Sequence, residues 1–277
     1  MKYAARKPTG AAKVLVSLGM LVVLVFLILP LVLIIVSAFE RGYALFVENL
    51  LDKDMLAAIR LTLVVVLFTL PVNVLFGIVI AWCVTRFKFF GRRLLMALID
   101  APYALSPVIA GLSYLLLYGS EGWLGRWLGE HGLQFAFAWP GIVLVTIFVT
   151  SPYVARILIP LMETQGQEEE EAAVLLGASG WRLMWQVVLP NVKWALLYGA
   201  VLTTARAVGE FGSVSVISGA IRGQTNTLPL HVQLLQQDYN SVGAFTACLL
   251  LASIALLTLI LKTILEYLQR AKHGEVK

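Results

Sequence analysis

Arg206 and Glu210 stand four residues apart inside a long apolar run, from Val192 to Ser218. A charge near the centre of a bilayer costs about 2.5–3.5 kcal/mol even on the mildest scale, so both must face protein or water. On a helix, that spacing places them on one face, close enough to pair. Thr203, Thr204, Ser213 and Ser215 add hydroxyls nearby, while Gly209 and Gly212 let a neighbouring helix approach. Two readings fit. In one, Arg206, Glu210, Thr203 and Ser213 line an anion path, with Glu210 holding Arg206 in place. In the other, Arg206 and Glu210 are a neutralised pair at a helix–helix interface. Catalytic chemistry finds no support: the sequence shows no nucleophile–base arrangement and no metal-ligand spacing.

A second constellation lies outside the apolar runs. Glu168, Glu169, Glu170 and Glu171 precede Ala172-Ala173-Val174-Leu175-Leu176, and carboxylates in a first turn stabilise a helix. Gly177 suits the left-handed residue that ends it. Ser179 is placed to cap a second helix through Val188, which Pro190 then stops before the chain enters the membrane. Ala172 and Ala173 let a partner surface come close, and Leu175 and Leu176 give it an apolar grip. The pattern predicts a structured polar knob on which another protein docks.

The elements that position these groups follow from composition. The chain has 277 residues, of which 60% are hydrophobic and 13% charged, against about 25% charged in soluble domains. Solid apolar runs of the length needed to cross a bilayer predict an all-α integral membrane protein rather than a barrel. We expect one transmembrane domain over residues 1–277 with spans at about 14–39, 56–85, 94–118, 138–161, 192–218 and 242–267. Pro30 should kink the first; Pro102 and Pro107 should interrupt the third. The first run is too long for a cleavable signal peptide and reads as a retained helix. Cys83 and Cys248 read as small buried residues.

Orientation follows the basic residues. Lys2, Arg6, Lys7 and Lys13 precede the first span, Arg86–Arg93 links the second and third, and Arg270, Lys272 and Lys277 end the chain. Both termini and the loop 163–190 are therefore expected on the cytoplasmic side. The net charge of +5 serves topology, with no nucleic-acid surface. Segments 40–55, 119–137 and 219–241 fall on the other side. The second suits an interfacial helix with Trp123, Trp127 and His131. The third is long and polar; it is either a solvated connector or a receptor contact, with Arg222, Gln224, Thr225 and Asn226 as the candidates.

Glu171-Ala172-Ala173, Gly177 and Val187-x-Leu189-Pro190 resemble the EAA motif of ABC-importer permease subunits, with Val187 where the family usually has Ile. The resemblance implies the type I ABC importer permease fold, and a coupling helix at Glu171, Ala172, Ala173, Leu176, Gly177, Leu189 and Pro190 that docks on a cytoplasmic ATPase. A narrower stretch, Ala205-Arg206-Ala207-Val208-Gly209-Glu210-Phe211-Gly212, is similar to the fifth-span signature of oxyanion permeases. Ile221 to Val232 resembles the external loop of the sulfate/thiosulfate permease W-subunit group. That group implies a heterodimer with a T-type sister permease, two ATPase subunits, a periplasmic sulfate- or thiosulfate-binding protein, and residence in the bacterial inner membrane.

The expected role is therefore ATP-driven sulfate or thiosulfate import, with no cofactor bound by this chain. It lacks the G-x-x-x-x-G-K-[ST] phosphate loop, so ATP and Mg belong to the ATPase. Molybdate or tungstate is the alternative cargo. An ion-coupled secondary transporter would need intramembrane carboxylates, and this reading counts Glu210 alone.

Overall fold

The computed structural model describes residues 10–272, and every regular element among them is helical. Lys2, Arg6, Lys7 and Lys277 lie outside the described residues. In chain order the helices are α1 Ala12–Ala38, α2 Tyr43–Leu50, α3 Lys53–Arg86, α4 Arg92–Ala104, α5 Pro107–Tyr118 and α6 Trp123–Glu130. They continue as α7 Trp139–Gln165, α8 Glu168–Leu175, α9 Gly180–Val208, α10 Gly212–Ile217, α11 Leu228–Gln237 and α12 Ser241–Lys272. Among the described residues, helices α1, α3, α7, α9 and α12 are each long and apolar enough to cross a bilayer, and the bent pair α4–α5, counted as one broken span, brings the number to six.

The third span breaks at one of its prolines only. Pro102 stays inside α4, whereas α4 and α5 meet at 107° just before Pro107. Ser106 is extended (ψ 134°), as a residue preceding proline prefers. The fifth span departs further from expectation. Pro190 does not end a knob helix, because α9 runs without a stop from Gly180 through the proline to Val208. A π-helical turn over Met184–Val188 makes this possible: the Leu189 N–H donates to the Met184 carbonyl, five residues back. The wider turn relieves the clash between the proline ring and the carbonyl one ordinary turn before it. Pro30 in α1 is accommodated in the same way, after a π turn over Leu24–Ile28. At its other end the fifth span stops at Val208 rather than Ser218, and the chain restarts as α10.

Helices α3, α7 and α9 pack against one another and form the body. Gly77 allows the closest approach, since a Cβ there would lie 2.5 Å from the Val154 Cβ. Asn73 of α3 donates to the Thr150 hydroxyl of α7 at 2.6 Å, a polar tie inside the body. One apolar core, with Leu158, Met162, Leu183 and Val188, lies toward the end bearing α8. A second, with Ile142, Val145, Ile217 and Leu230, lies toward the other end. Most of α1 stands clear of the body; none of its most apolar stretch is buried.

The breaks in the third and fifth spans face each other. A Cβ on Gly212 would sit 2.9 Å from the Pro107 Cβ, and one on Gly111 only 2.4 Å from the Ser213 carbonyl oxygen. Backbone meets backbone here, and a side chain has nowhere to go. Gly111→Val should lower the thermal midpoint of the detergent-solubilised protein, with about 1–3 kcal/mol lost to overpacking. Gly129→Ala, at a position with open space, should leave it unchanged.

Candidate functional site

Helix α8 ends as its sequence predicts. Gly177 has φ 87°, the Ala178 N–H donates to the Ala173 carbonyl at 3.0 Å, and the Gly177 N–H donates to the Val174 carbonyl at 2.9 Å. That pair of bonds is the Schellman arrangement, which satisfies carbonyls the helix end would otherwise leave bare. Ser179 takes the extended N-cap conformation, but its hydroxyl caps nothing; its carbonyl accepts from the Leu183 N–H at 2.8 Å. Glu168 to Glu171 all occupy the first turn.

The two alanines point differently. Ala172 is exposed, whereas Ala173 turns inward onto the core beside Met184 and Val187. The smallness of Ala173 therefore lets α8 seat on its own body. The outward grip comes from Leu175 and Leu176, which are 88% and 89% exposed, and from Val174. Trp181 and Trp185 extend this surface, their rings edge to face at 5.6 Å. Leu189 and Pro190 lie within α9, not on the knob's outer surface.

What fastens α8 was not foreseen. Arg86, read as a topology charge, reaches Glu170 at 2.6 Å, with side chains only 8% and 13% exposed. Arg86 also donates to the Met162 carbonyl at 3.1 Å, and the Trp82 indole donates to Glu170 at 3.4 Å. Asn191 of α9 donates to Glu169. The knob is thus tied to the ends of α3, α7 and α9. Beneath it opens a cleft of about 340 Å³ lined by Arg86, Glu169, Glu170, Pro190, Asn191 and Trp194.

Inside the fifth span, Arg206 meets Glu210 at 3.0 Å, but not along a continuous helical face, because α9 has ended between them. Glu210 is buried and has a second task. Its Oε1 accepts from the backbone N–H of Ser213 at 3.1 Å and from the Ser213 hydroxyl at 2.7 Å, capping α10. Its Oε2 faces Arg206 as an ion contact without hydrogen-bond alignment. Thr203 and Ser213 are fully buried, and the Thr203 hydroxyl has no partner among the described residues. Of the path candidates, Arg206 alone reaches a surface.

Glu210 is not the one carboxylate within the apolar spans. Asp100 lies in α4 and Arg156 in α7, joined at 2.8 Å across the third and fourth spans. Asp100 and Arg156 are 56 residues apart, and single charges so far apart in sequence give no pairing signal.

Segments 40–55, 119–137 and 219–241 gather at the end opposite α8. Arg222 pairs with Asp238, and both line a cavity of about 260 Å³ with Asp52, Asp54 and His231. The loop divides in two. Arg222 and Gln224 are exposed, but Thr225 and Asn226 are buried and unavailable to a receptor in this conformation. Thr225 accepts from the Ile221 N–H at 3.1 Å and donates to the Ser218 carbonyl at 2.7 Å. The Asn226 amide lies 3.1 Å from Nδ1 of buried His231. The segment is thus solvated over 221–224 and turned into the protein from Thr225 to Leu228.

Two predictions follow from these contacts. Glu170→Ala should strand the Arg86 charge, and breaking a buried pair costs about 3–5 kcal/mol. Thermal unfolding in detergent should show the loss, and removing both charges together should restore part of it. Burial holds the His231 pKa below 6.5, with Arg222 adding to the effect and Asp54, Asp52 and Asp238 opposing it. The unfolded chain therefore takes up this proton first as pH falls. The site's contribution is complete above about pH 6.5 and is lost as pH drops through the depressed folded value. The thermal midpoint should fall between about pH 7 and pH 5, with a smaller fall in His231→Asn.

Residues 73–273 match the family described as binding-protein-dependent transport system inner membrane component. The sulfate transport system permease protein CysW of Escherichia coli K12 is 56% identical over 266 residues, covering 96% of this chain and 91% of that protein. Its counterpart in Synechococcus elongatus is 48% identical, covering 91% and 88%. The CysT permease of E. coli K12 is 36% identical, covering 87% and 88%. A chain of the bacterial alginate ABC transporter, solved with an alginate-bound periplasmic protein, superposes with a TM-score of 0.75 over 94% of this chain and 93% of its own. At 17% identity that likeness is one of fold. With the spans, the α8 knob and these relatives together, the chain belongs to the inner-membrane components of binding-protein-dependent transport systems.

Proposed function

We propose that the chain is a permease subunit of an ATP-driven importer carrying sulfate or thiosulfate across the inner membrane. Identity of 56% to a sulfate permease over 96% of the chain carries this reading. It pairs with a T-type sister subunit, two ATPase subunits and a periplasmic binding protein for the anion. Both termini and α8 face the cytoplasm, and segments 40–55, 119–137 and 219–241 face the periplasm.

On this reading α8 is the coupling helix. Leu175, Leu176 and Trp181 enter a cleft of the ATPase, and Arg86–Glu170 carries the movement into α3 while the unbroken α9 carries it into the membrane. ATP binding draws the paired knobs together and opens the spans toward the periplasm. The receptor delivers its anion there, and hydrolysis restores the inward-facing state. Arg222 and Gln224 are the loop residues positioned to meet the receptor. Arg206 is the one path candidate of the fifth span that an anion can reach.

The test is the reconstituted four-component assembly in proteoliposomes. Sulfate-loaded receptor should stimulate ATP hydrolysis and drive uptake, and excess molybdate should not compete. Replacing Leu175 and Leu176 together by Asp should leave membrane insertion intact and reduce uptake at least about tenfold, since burying an unpaired charge in an apolar cleft costs more than 1.4 kcal/mol. Uptake unaffected by that change, or blocked by molybdate and not by sulfate, would overturn the reading.

A further inference from the structure

Helices α4 and α7 are joined along one exposed seam by successive polar contacts. Arg92 meets Glu163 at 3.2 Å toward the α8 end. Further along α4, about 12 Å deeper by helix rise, Nε and Nη2 of Arg156 both reach Oδ1 of Asp100 at 2.8 Å. One turn beyond, the rings of Tyr103 and Tyr153 lie 5.3 Å apart. The Arg156 guanidinium sits 4.6 Å from the centre of the Tyr103 ring. Arg156 and Asp100 keep 50% and 40% of their side-chain surface exposed.

An ion pair at this depth cannot face hydrocarbon. Its geometry also argues against a sealed protein interface. Both reaching nitrogens of Arg156 converge on one carboxylate oxygen, so the remaining guanidinium donors and Asp100 Oδ2 have no partner among the described residues. A dry interface would leave them unsatisfied, at a few kcal/mol each. Water or a solute satisfies them; between the two ion pairs the helices meet through apolar side chains, Met96 and Ile159 among them.

We infer that Arg156, Tyr103 and Tyr153 form an anion-binding station on the translocation path, with Asp100 as the counter-charge that occupies Arg156 when no anion is present. The inference rests on the oxyanion-import reading and adds a site to it. A tetrahedral dianion offers only acceptors; the guanidinium and the free hydroxyl proton of the hydrogen-bonded Tyr103–Tyr153 pair offer matching donors. Asp100 keeps the station weak, because the anion must displace a carboxylate to bind. Conduction needs such a site, attractive enough to enter and loose enough to leave. The station lies on α4 and α7, apart from Arg206 on α9.

The experiment uses the complete assembly with Cys83 and Cys248 replaced by Ala and Tyr153 replaced by Cys. An anionic sulfonated methanethiosulfonate added from the aqueous phase should label Cys at that position. Saturating sulfate should slow labelling about tenfold, the effect of a charge-assisted contact worth about 1.4 kcal/mol, whereas chloride at equal ionic strength should not. Adding Arg156→Gln should remove the protection, and Arg156→Lys should retain part of it. Tyr103→Cys gives the same readout if the first variant does not assemble. Absent labelling, or labelling indifferent to sulfate, overturns the station. If the assembly with Tyr103 and Tyr153 intact imports no sulfate at all, the functional reading fails instead; import without protection removes this inference alone.

Discussion

The buried contact between Arg86 and Glu170 is what the rest of the architecture hangs on. An eight-residue helix such as α8 is marginal by itself in water. It becomes a rigid projection because Glu170 is anchored to α3 and Glu169 to α9, while Ala173 lies flat against the core. The same anchoring leaves Leu175 and Leu176 bare on the far side. Helix α8 is thus firmly attached on one face and carries an apolar surface on the other.

Inside the membrane the governing constraint is that polar groups have no water to fall back on. The main helix breaks and bends among the described residues are therefore met by a neighbour or a widened turn. The break before Pro107 lies against the break after Val208, with Gly111 and Gly212 removing the side chains that would hold them apart. Glu210 caps the restarted helix α10 and neutralises Arg206 with its other oxygen. The prolines at 30 and 190 are absorbed by π turns, so those helices keep their direction without losing continuity. Asp100 and Arg156 stand apart from this economy, since they pair but remain half open.

The partly exposed charges and the nearly bare α1 have a common meaning. A permease subunit of this family is one part of a larger body, and surfaces that look incomplete in one chain are completed by lipid, by neighbours or by the solute. Apolar α1 suits lipid or another apolar helix; the Asp100–Arg156 seam suits neither.

The sequence by itself determined the class and the course of α8. Long apolar runs, the acidic first turn and Gly177 act through neighbours in sequence, and local physics reads them directly. It also placed Arg206 within reach of Glu210, because a spacing of four residues survives even a helix break. Other features belonged to tertiary structure alone. Arg86 and Glu170 are 84 positions apart, and Asp100 and Arg156 are 56 apart; no local pattern announces such pairs. Whether Pro190 stops a helix or rides through it depends on a backbone turn that packing selects. Whether Thr225 and Asn226 meet solvent or the interior depends on what folds over them. Periodicity specifies each helix one turn at a time, but only the packed assembly decides which charges meet and which remain open.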